Sequence, residues 1–219
     1  MADELADLRR EVCALHAELQ RNRLVAWTSG NLSARVPGEE LMVIKASGVP
    51  YDELTADAMV VCDLHGGLVE GDLSPSSDAA THGYVYRHME DVGGVAHTHS
   101  SYATAWAARG QAIPCVLTAM ADEFGGEIPI GPFARIGDEE IGHGIVETLA
   151  GQRSPAVLMR SHGVFTLGAG PRAAIKAAVM CEDAARTVHL ARELGDPIPL
   201  TREDIDALHD RYQRAYGQR

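Results

Sequence analysis

The stretch Val95-Ala96-His97-Thr98-His99-Ser100 places two histidines one residue apart, after an apolar approach and before small residues. Side chains in a β-strand alternate between the two faces, so His97 and His99 would lie on the same face. Two imidazoles on one face can bind one divalent metal without bending the backbone. The chain has ten histidines, and such pairs also occur in cores and at surfaces. The metal interpretation therefore depends on further ligands.

The composition is that of an ordinary globular protein. Of the 219 residues 46% are hydrophobic, and no apolar run approaches the ~20 residues that span a bilayer. The four cysteines lie far apart, which predicts reduced thiols rather than disulfides or a thiolate zinc site. The charged N-terminus has no apolar signal core, so we expect a cytoplasmic protein. A net charge of −12 disfavours binding to nucleic acid or to anionic membranes.

Hydrophobic periodicity and turn signals predict short strands mixed with helices. Helices are predicted at about 5–22, 78–89, 100–109, 138–150, 170–194 and 201–216. Strands are predicted at 31–36, 41–45, 59–62, 68–70, 113–117, 156–159 and 164–167, and at the His-x-His stretch. Tight turns between several strand pairs favour an α/β sandwich with a mainly antiparallel sheet. The chain has neither a dinucleotide-binding glycine fingerprint nor a phosphate-binding P-loop, and we expect residues 1–219 to form a single domain.

Two further residues could complete a metal site with the His-x-His pair. His162 lies between two predicted strands and is followed by Gly163, which lets the backbone approach a ligand closely. Asp78 opens the helix that leads into the pair, although a helix N-terminus favours a carboxylate in any case. His82 lies four residues on, along the same helix face, and spacing alone does not exclude it as a rival ligand.

Three small-residue turns are suited to binding an anion. They are Ser29-Gly30-Asn31, Lys45-Ala46-Ser47-Gly48 and Ser76-Ser77. Backbone amides at turns and helix N-termini bind phosphate oxygens. The third turn directly precedes Asp78, so the anion site and the metal site are expected to adjoin.

Taken together, the motifs resemble those of the class II aldolase/adducin-head family. The matching stretches are Thr28–Ser33, Ile44–Val49, Pro75–Asp78, His97–Ser100, Ala121–Gly126, Ser161–Gly163 and Ala215–Gln218. They follow the family's order and cover the chain from about Thr28 to its end. The resemblance implies a three-layer α/β/α sandwich around a mainly antiparallel sheet. It also implies a homotetramer with sites near the subunit interfaces.

The resemblance assigns a role to each candidate residue. A divalent metal, Zn²⁺ with Mn²⁺ or Co²⁺ as alternatives, would be held by Asp78, His97, His99 and His162. This leaves His82 outside the site. The phosphate of a phosphorylated ketose would be bound by Asn31, Lys45, Ser47, Gly48, Ser76 and Ser77. Asp122 and Tyr216 would be the acid/base groups, and Tyr216 would reach the site of a neighbouring subunit.

The activity that the resemblance implies is metal-assisted, reversible cleavage of a C3–C4 bond. Asp78 in place of the glutamate usual in the aldolases, the block around Asp122 and the ending around Tyr216 are similar to the family's L-ribulose-5-phosphate 4-epimerases. The chain departs from the epimerase pattern at Ala215, where a second tyrosine is usual. The alternative is a sugar-phosphate aldolase such as L-fuculose-phosphate aldolase. The metal histidines disfavour a non-catalytic head domain.

Overall fold

An eight-stranded sheet forms the middle layer of the protein in the computed structural model, which describes residues 2–215. The strands are β1 (Asn31–Arg35), β2 (Leu41–Lys45), β3 (Met59–Asp63), β4 (Leu68–Glu70), β5 (Gly94–Thr98), β6 (Ile130–Gly131), β7 (Ala156–Met159) and β8 (Gly163–Gly168). Their order across the sheet is β4-β3-β2-β1-β5-β8-β7-β6. Neighbouring strands are antiparallel, apart from the parallel pair β6 and β7. The predicted mainly antiparallel sheet is confirmed.

Helices cover both faces of this sheet. They are α1 (Ala2–Arg21), α2 (Ala79–His88), α3 (Ser101–Arg109), α4 (Thr118–Phe124), α5 (Glu140–Leu149), α6 (Pro171–Leu194) and α7 (Arg202–Ala215). Helices α2 and α5 pack on one face, and α1 and α6 pack on the other, with α3, α4 and α7 beside α6. The three-layer α/β/α sandwich is therefore confirmed. None of the helices in the described part of the chain has both the length and the apolar character needed to cross a membrane.

Strand β2 illustrates why the sheet needs helices on both sides. Met42 and Ile44 belong to the core cluster under α2 and α5, whereas Val43 belongs to the cluster under α1 and α6. All three side chains are fully buried. A strand that is apolar on both faces is stable only when both faces are covered, which the alternation of side chains along a strand makes possible.

The segment after α3 differs from the prediction. The strand expected at 113–117 does not form, and Ile113 makes only an isolated bridge to Ile128. Pro114 has no N–H to donate to a ladder, so a strand cannot continue through it as a paired central strand. The chain instead forms α4, a helix that the sequence interpretation did not include. Asp122 therefore lies on a helix.

Candidate metal and anion site

The His-x-His pair lies at the end of β5, in the middle of the sheet. His97 is paired across the sheet with Asn31 of β1 and Phe165 of β8, and its ring stacks on Phe165 with centroids 4.1 Å apart. His99 follows the last residue of the strand. The Nε2 atoms of His97 and His99 are 2.9 Å apart. The expectation that both imidazoles lie on one face is confirmed.

His162 reaches the same place from the tight turn between β7 and β8. Ser161 has a φ of +60°, a left-handed conformation that reverses the chain just before His162. Gly163 follows, where a Cβ atom would lie 2.6 Å from the Thr98 carbonyl oxygen and 3.2 Å from Cε1 of His97. Only glycine permits this close approach. One ligand nitrogen from each of His97, His99 and His162 then lies within 4.8 Å of the others.

The protonation of the three imidazoles suits a metal. Nδ1 of His97 donates to the Val164 carbonyl at 2.9 Å, so Nε2 keeps its lone pair for a ligand. Burial lowers the pKa of His97 to about 3, and it also lowers the pKa of His99 and of His162. Nδ1 of His162 is buried without a partner among the described residues. Converging neutral imidazoles are a donor set that fits a divalent metal such as zinc.

Asp78 lines the same cavity as the histidines but does not belong to their close group. It precedes α2 in the N-cap position, yet its side chain makes no capping hydrogen bond, and Oδ2 instead accepts from Nδ2 of Asn31 at 2.7 Å. Burial alone would raise the pKa of Asp78, but His97 and the Asn31 bond outweigh burial and lower it. The carboxylate is therefore anionic, and its role as a metal ligand stays a prediction.

His82, the rival of Asp78, lies behind the site. It is fully buried, and its Nδ1 is 2.7 Å from the Ser33 hydroxyl oxygen. Its ring meets Phe165 edge-on, with centroids 6.1 Å apart. It does not line the cavity, so geometry favours Asp78 where spacing did not distinguish the two.

The residues proposed for the metal and the phosphate line one cavity of about 270 Å³. Its lining includes Asn31, Lys45, Ser47, Gly48, Ser76, Ser77, Asp78, His97, His99 and His162. Thr28, Ser29, Gly30, Ala46 and Ile136 complete it. Thr28 and Ser29 belong to a motif quoted from the sequence, whereas Ile136 is an isolated apolar residue with no sequence signal. The structure thus brings the predicted set together, while the individual roles stay predictions.

Among residues 2–215, Lys45 is the one cationic side chain that lines the cavity. It is buried, and its Nζ donates to the Ala46 carbonyl oxygen at 3.2 Å and lies 5.6 Å from the centre of the Tyr51 ring. Burial lowers its pKa. A buried cation beside serine-rich turns is favourable for an anionic group, because a phosphate would restore the solvation that Lys45 has lost.

Of the two predicted acid/base residues, Asp122 falls within the described part of the chain and does not line the cavity. Asp122 lies on α4, whose neighbours Ala121 and Phe124 pack in the cluster under α3, α6 and α7. Its Oδ1 is buried without a partner among residues 2–215, and its Oδ2 is 3.9 Å from Nη2 of Arg211. Tyr216 lies outside the described residues.

The chain belongs to the class II aldolase and adducin family: the model of the Class II Aldolase and Adducin N-terminal domain matches residues 10–189. A solved L-fuculose 1-phosphate aldolase is similar, with 26% identity, 94% of this chain and 96% of that chain covered, and a TM-score of 0.88. YgbL from Klebsiella pneumoniae, described as a candidate aldolase, epimerase or decarboxylase, has 27% identity, 93% and 98% coverage and a TM-score of 0.80. An aldolase II superfamily protein from Pseudomonas syringae, with 23% identity, 96% and 86% coverage and a TM-score of 0.84, shares the fold. Class II aldolases use a divalent metal and act on phosphorylated sugars, and His97, His99 and His162 could bind that metal here.

Proposed function

We propose that this protein is a zinc-dependent L-ribulose-5-phosphate 4-epimerase, which forms D-xylulose 5-phosphate by cleaving and remaking the C3–C4 bond. The observation that carries the proposal is the meeting of three neutral imidazoles and the anion-binding turns in one cavity. We further propose that residues 1–219 act as one domain, in a cytoplasmic homotetramer.

The chain's own residues would hold both ends of the substrate. His97, His99 and His162, with Asp78 as the fourth ligand, would bind the metal, which when bound supplies a Lewis acid that polarises a carbonyl oxygen. Lys45 and the serine turn at the N-terminus of α2 would bind the phosphate, since buried cations and helix N-termini favour anions. With the phosphate held, the aldehyde fragment stays in the cavity after the bond breaks. It can then rotate and rejoin on its other face, which inverts C4.

This chemistry needs proton transfer on both faces of the rotating aldehyde. One group takes the proton from the C4 hydroxyl as the bond breaks, and another returns a proton after re-addition. Asp122 and Tyr216 are the proposed pair. Because Asp122 lies on α4 away from the cavity of its own chain, we propose that neighbouring subunits supply both groups.

The second candidate is a sugar-phosphate aldolase such as L-fuculose-phosphate aldolase, which would make the same cut and release both fragments. Two observations favour it. Asp122 does not line the cavity, and a solved L-fuculose 1-phosphate aldolase is 26% identical over 94% of this chain. A third observation favours the epimerase. Asp78 is shorter than the glutamate usual in the aldolases and is hydrogen-bonded to Asn31, which suits a fixed metal ligand better than a mobile base.

The experiment is to incubate zinc-loaded protein with L-ribulose 5-phosphate and to follow the products by NMR. We expect D-xylulose 5-phosphate to form. Chelator-treated protein should form none of it until zinc or manganese is added. Cleavage of L-fuculose 1-phosphate to dihydroxyacetone phosphate and lactaldehyde would support the aldolase instead. Inactivity of the zinc-loaded protein toward both sugars would contradict both candidates.

A further inference from the structure

The anion-binding turns lie where β1 and β2 separate. The two strands pair as far as Ser33 and Ile44. Beyond that point residues 45–47 pair with residues 74–76 instead, through backbone hydrogen bonds of 2.9 and 3.2 Å and an antiparallel bridge. Segment 74–76 therefore occupies the place beside β2 that β1 would otherwise hold. The separation leaves the first residues of β1 without a strand partner on that side.

Backbone groups of successive residues in an antiparallel strand point to opposite neighbours. The Arg35 N–H donates to the Gly93 carbonyl on the β5 side at 3.0 Å, and Asn31, four residues before Arg35, faces the same way. The Gly30 carbonyl and the Leu32 N–H, which flank Asn31, therefore face the side that β2 has left. Two side chains take the place of the missing strand there. Nε2 of His16 accepts from the Leu32 N–H at 3.1 Å, and the Tyr51 hydroxyl donates to the Gly30 carbonyl at 3.0 Å.

Each of these two side chains makes a further hydrogen bond that holds it in position. Nδ1 of His16 donates to the Val12 carbonyl at 2.7 Å, which leaves Nε2 as the acceptor. The ring is fully buried on α1. Tyr51 shares its hydroxyl proton with a second carbonyl, that of Ser29, at 3.1 Å. A buried backbone group left without a partner is destabilising, so these bonds hold the separated strand end in place.

The residue between the two pinned positions is Asn31. Its Nδ2 donates to the Ser76 hydroxyl at 3.0 Å and to Oδ2 of Asp78 at 2.7 Å. The amide therefore links the separated strand end to the serine turn and to the carboxylate. His16 and Tyr51 do not line the cavity themselves.

We propose that His16 and Tyr51 are positioning residues of the anion site, which act by replacing the lost strand contacts on either side of Asn31. Without the Tyr51 hydroxyl the Ser29-Gly30 turn would move, and Asn31 with it, so the phosphate-binding groups would no longer converge. The inference rests on the proposed function only in that the cavity binds a phosphorylated ligand.

The test measures the affinity of zinc-loaded protein for inorganic phosphate by calorimetry, and the KM and kcat for L-ribulose 5-phosphate. Tyr51→Phe keeps the ring and loses only the hydroxyl. We expect it to weaken phosphate binding and raise KM by about tenfold, with kcat within about twofold and zinc content unchanged. His16→Leu should weaken phosphate binding similarly, whereas His16→Gln, whose side-chain carbonyl can accept from Leu32, should restore most of it.

Tyr86→Phe is the matched control, because it removes another buried tyrosine hydroxyl, one that is 2.7 Å from a side-chain oxygen, that of Ser33. It should lower the Tm and leave phosphate affinity unchanged. Native phosphate affinity in both Tyr51→Phe and His16→Leu would overturn the inference, as would a wild-type protein that binds no phosphate. If His16→Leu does not fold, Tyr51→Phe decides alone. Phosphate binding without turnover of either sugar would defeat only the proposed function.

Discussion

His16 and His97 are both buried histidines whose pKa burial lowers, to about 4 and about 3, yet they occupy different kinds of environment. Both nitrogens of His16 are used by the protein, one by the Val12 carbonyl and the other by the Leu32 N–H. In His97 a backbone group, the Val164 carbonyl, binds Nδ1, and Nε2 faces Nε2 of His99 across 2.9 Å. Burial and a lowered pKa are therefore common to a structural histidine and to a candidate metal ligand. What distinguishes them is whether a ring nitrogen is left to converge with others.

The largest effect should come from removing one of the converging nitrogens. His97→Ala is expected to abolish tight zinc binding and to lower turnover by about 10³-fold or more, because the metal supplies the carbonyl polarisation. His16→Gln is the matched control and should keep one zinc per chain. Metal analysis and activity assays check both. If His97→Ala retained tightly bound zinc, the proposed difference between a structural His16 and a metal-binding His97 would be wrong.

A substitution at Asp122 tests whether a residue that does not line the cavity of its own chain takes part in proton transfer. Asp122→Asn should keep the metal and lose turnover by about 10²- to 10⁴-fold, because an amide cannot exchange the proton. The control is Glu123→Gln on the same helix, which weakens the ion pair with Lys176, whose Nζ is 2.6 Å from Oε2 of Glu123. Native turnover in Asp122→Asn would show that the role given to Asp122 is wrong.

A substitution at Gly163 tests how closely the backbone must approach the imidazoles. In Gly163→Ala the new methyl would meet the Thr98 carbonyl and crowd His97 and His99, so we expect zinc affinity to fall by about 10- to 100-fold. Gly170→Ala is the control, because a Cβ there meets nothing within 4 Å and the backbone is extended. Zinc competition titrations compare the two variants. Equal affinities would mean that the turn adapts without moving His162.

His16 should also make stability depend on pH. Its pKa is about 4 in the folded protein against an ordinary 6.5, so the unfolded chain binds the extra proton between these values. Its contribution is therefore present above pH 6.5 and lost as the pH falls toward 4, by roughly 3 kcal/mol in all. Urea unfolding of metal-free protein should give a shallower pH dependence for His16→Gln than for wild type. Parallel curves would contradict the assignment of His16 as a buried neutral ring.

Much of the site could be predicted because its residues lie in short motifs with local chemistry. The His-x-His pair needs only the alternation of a strand to place both rings on one face, and the serine turn before α2 needs only a helix N-terminus. The sequence did not reveal that Asp78 lines the cavity whereas His82 is buried behind it. This difference depends on the direction in which α2 docks against β1, which no local pattern records.

The errors have the same physical origin. The strand expected at 113–117 rested on apolar residues alone and gave too little weight to Pro114. The next segment, which forms α4 (Thr118–Phe124), had no predicted element. His16 lies within the helical period of α1, and nothing in that pattern indicates that its ring replaces a strand contact. Such roles arise where two strands separate, and the separation becomes visible only when the register of β1 and β2 is known.

The most direct test of the central claim is a zinc competition titration of chelator-treated protein, with turnover of L-ribulose 5-phosphate followed in parallel. The account predicts tight binding of one zinc per chain, lost in His97→Ala and kept in His16→Gln, with activity that rises in proportion to bound zinc. Tight binding that survives in His97→Ala, or full turnover without metal, would contradict it.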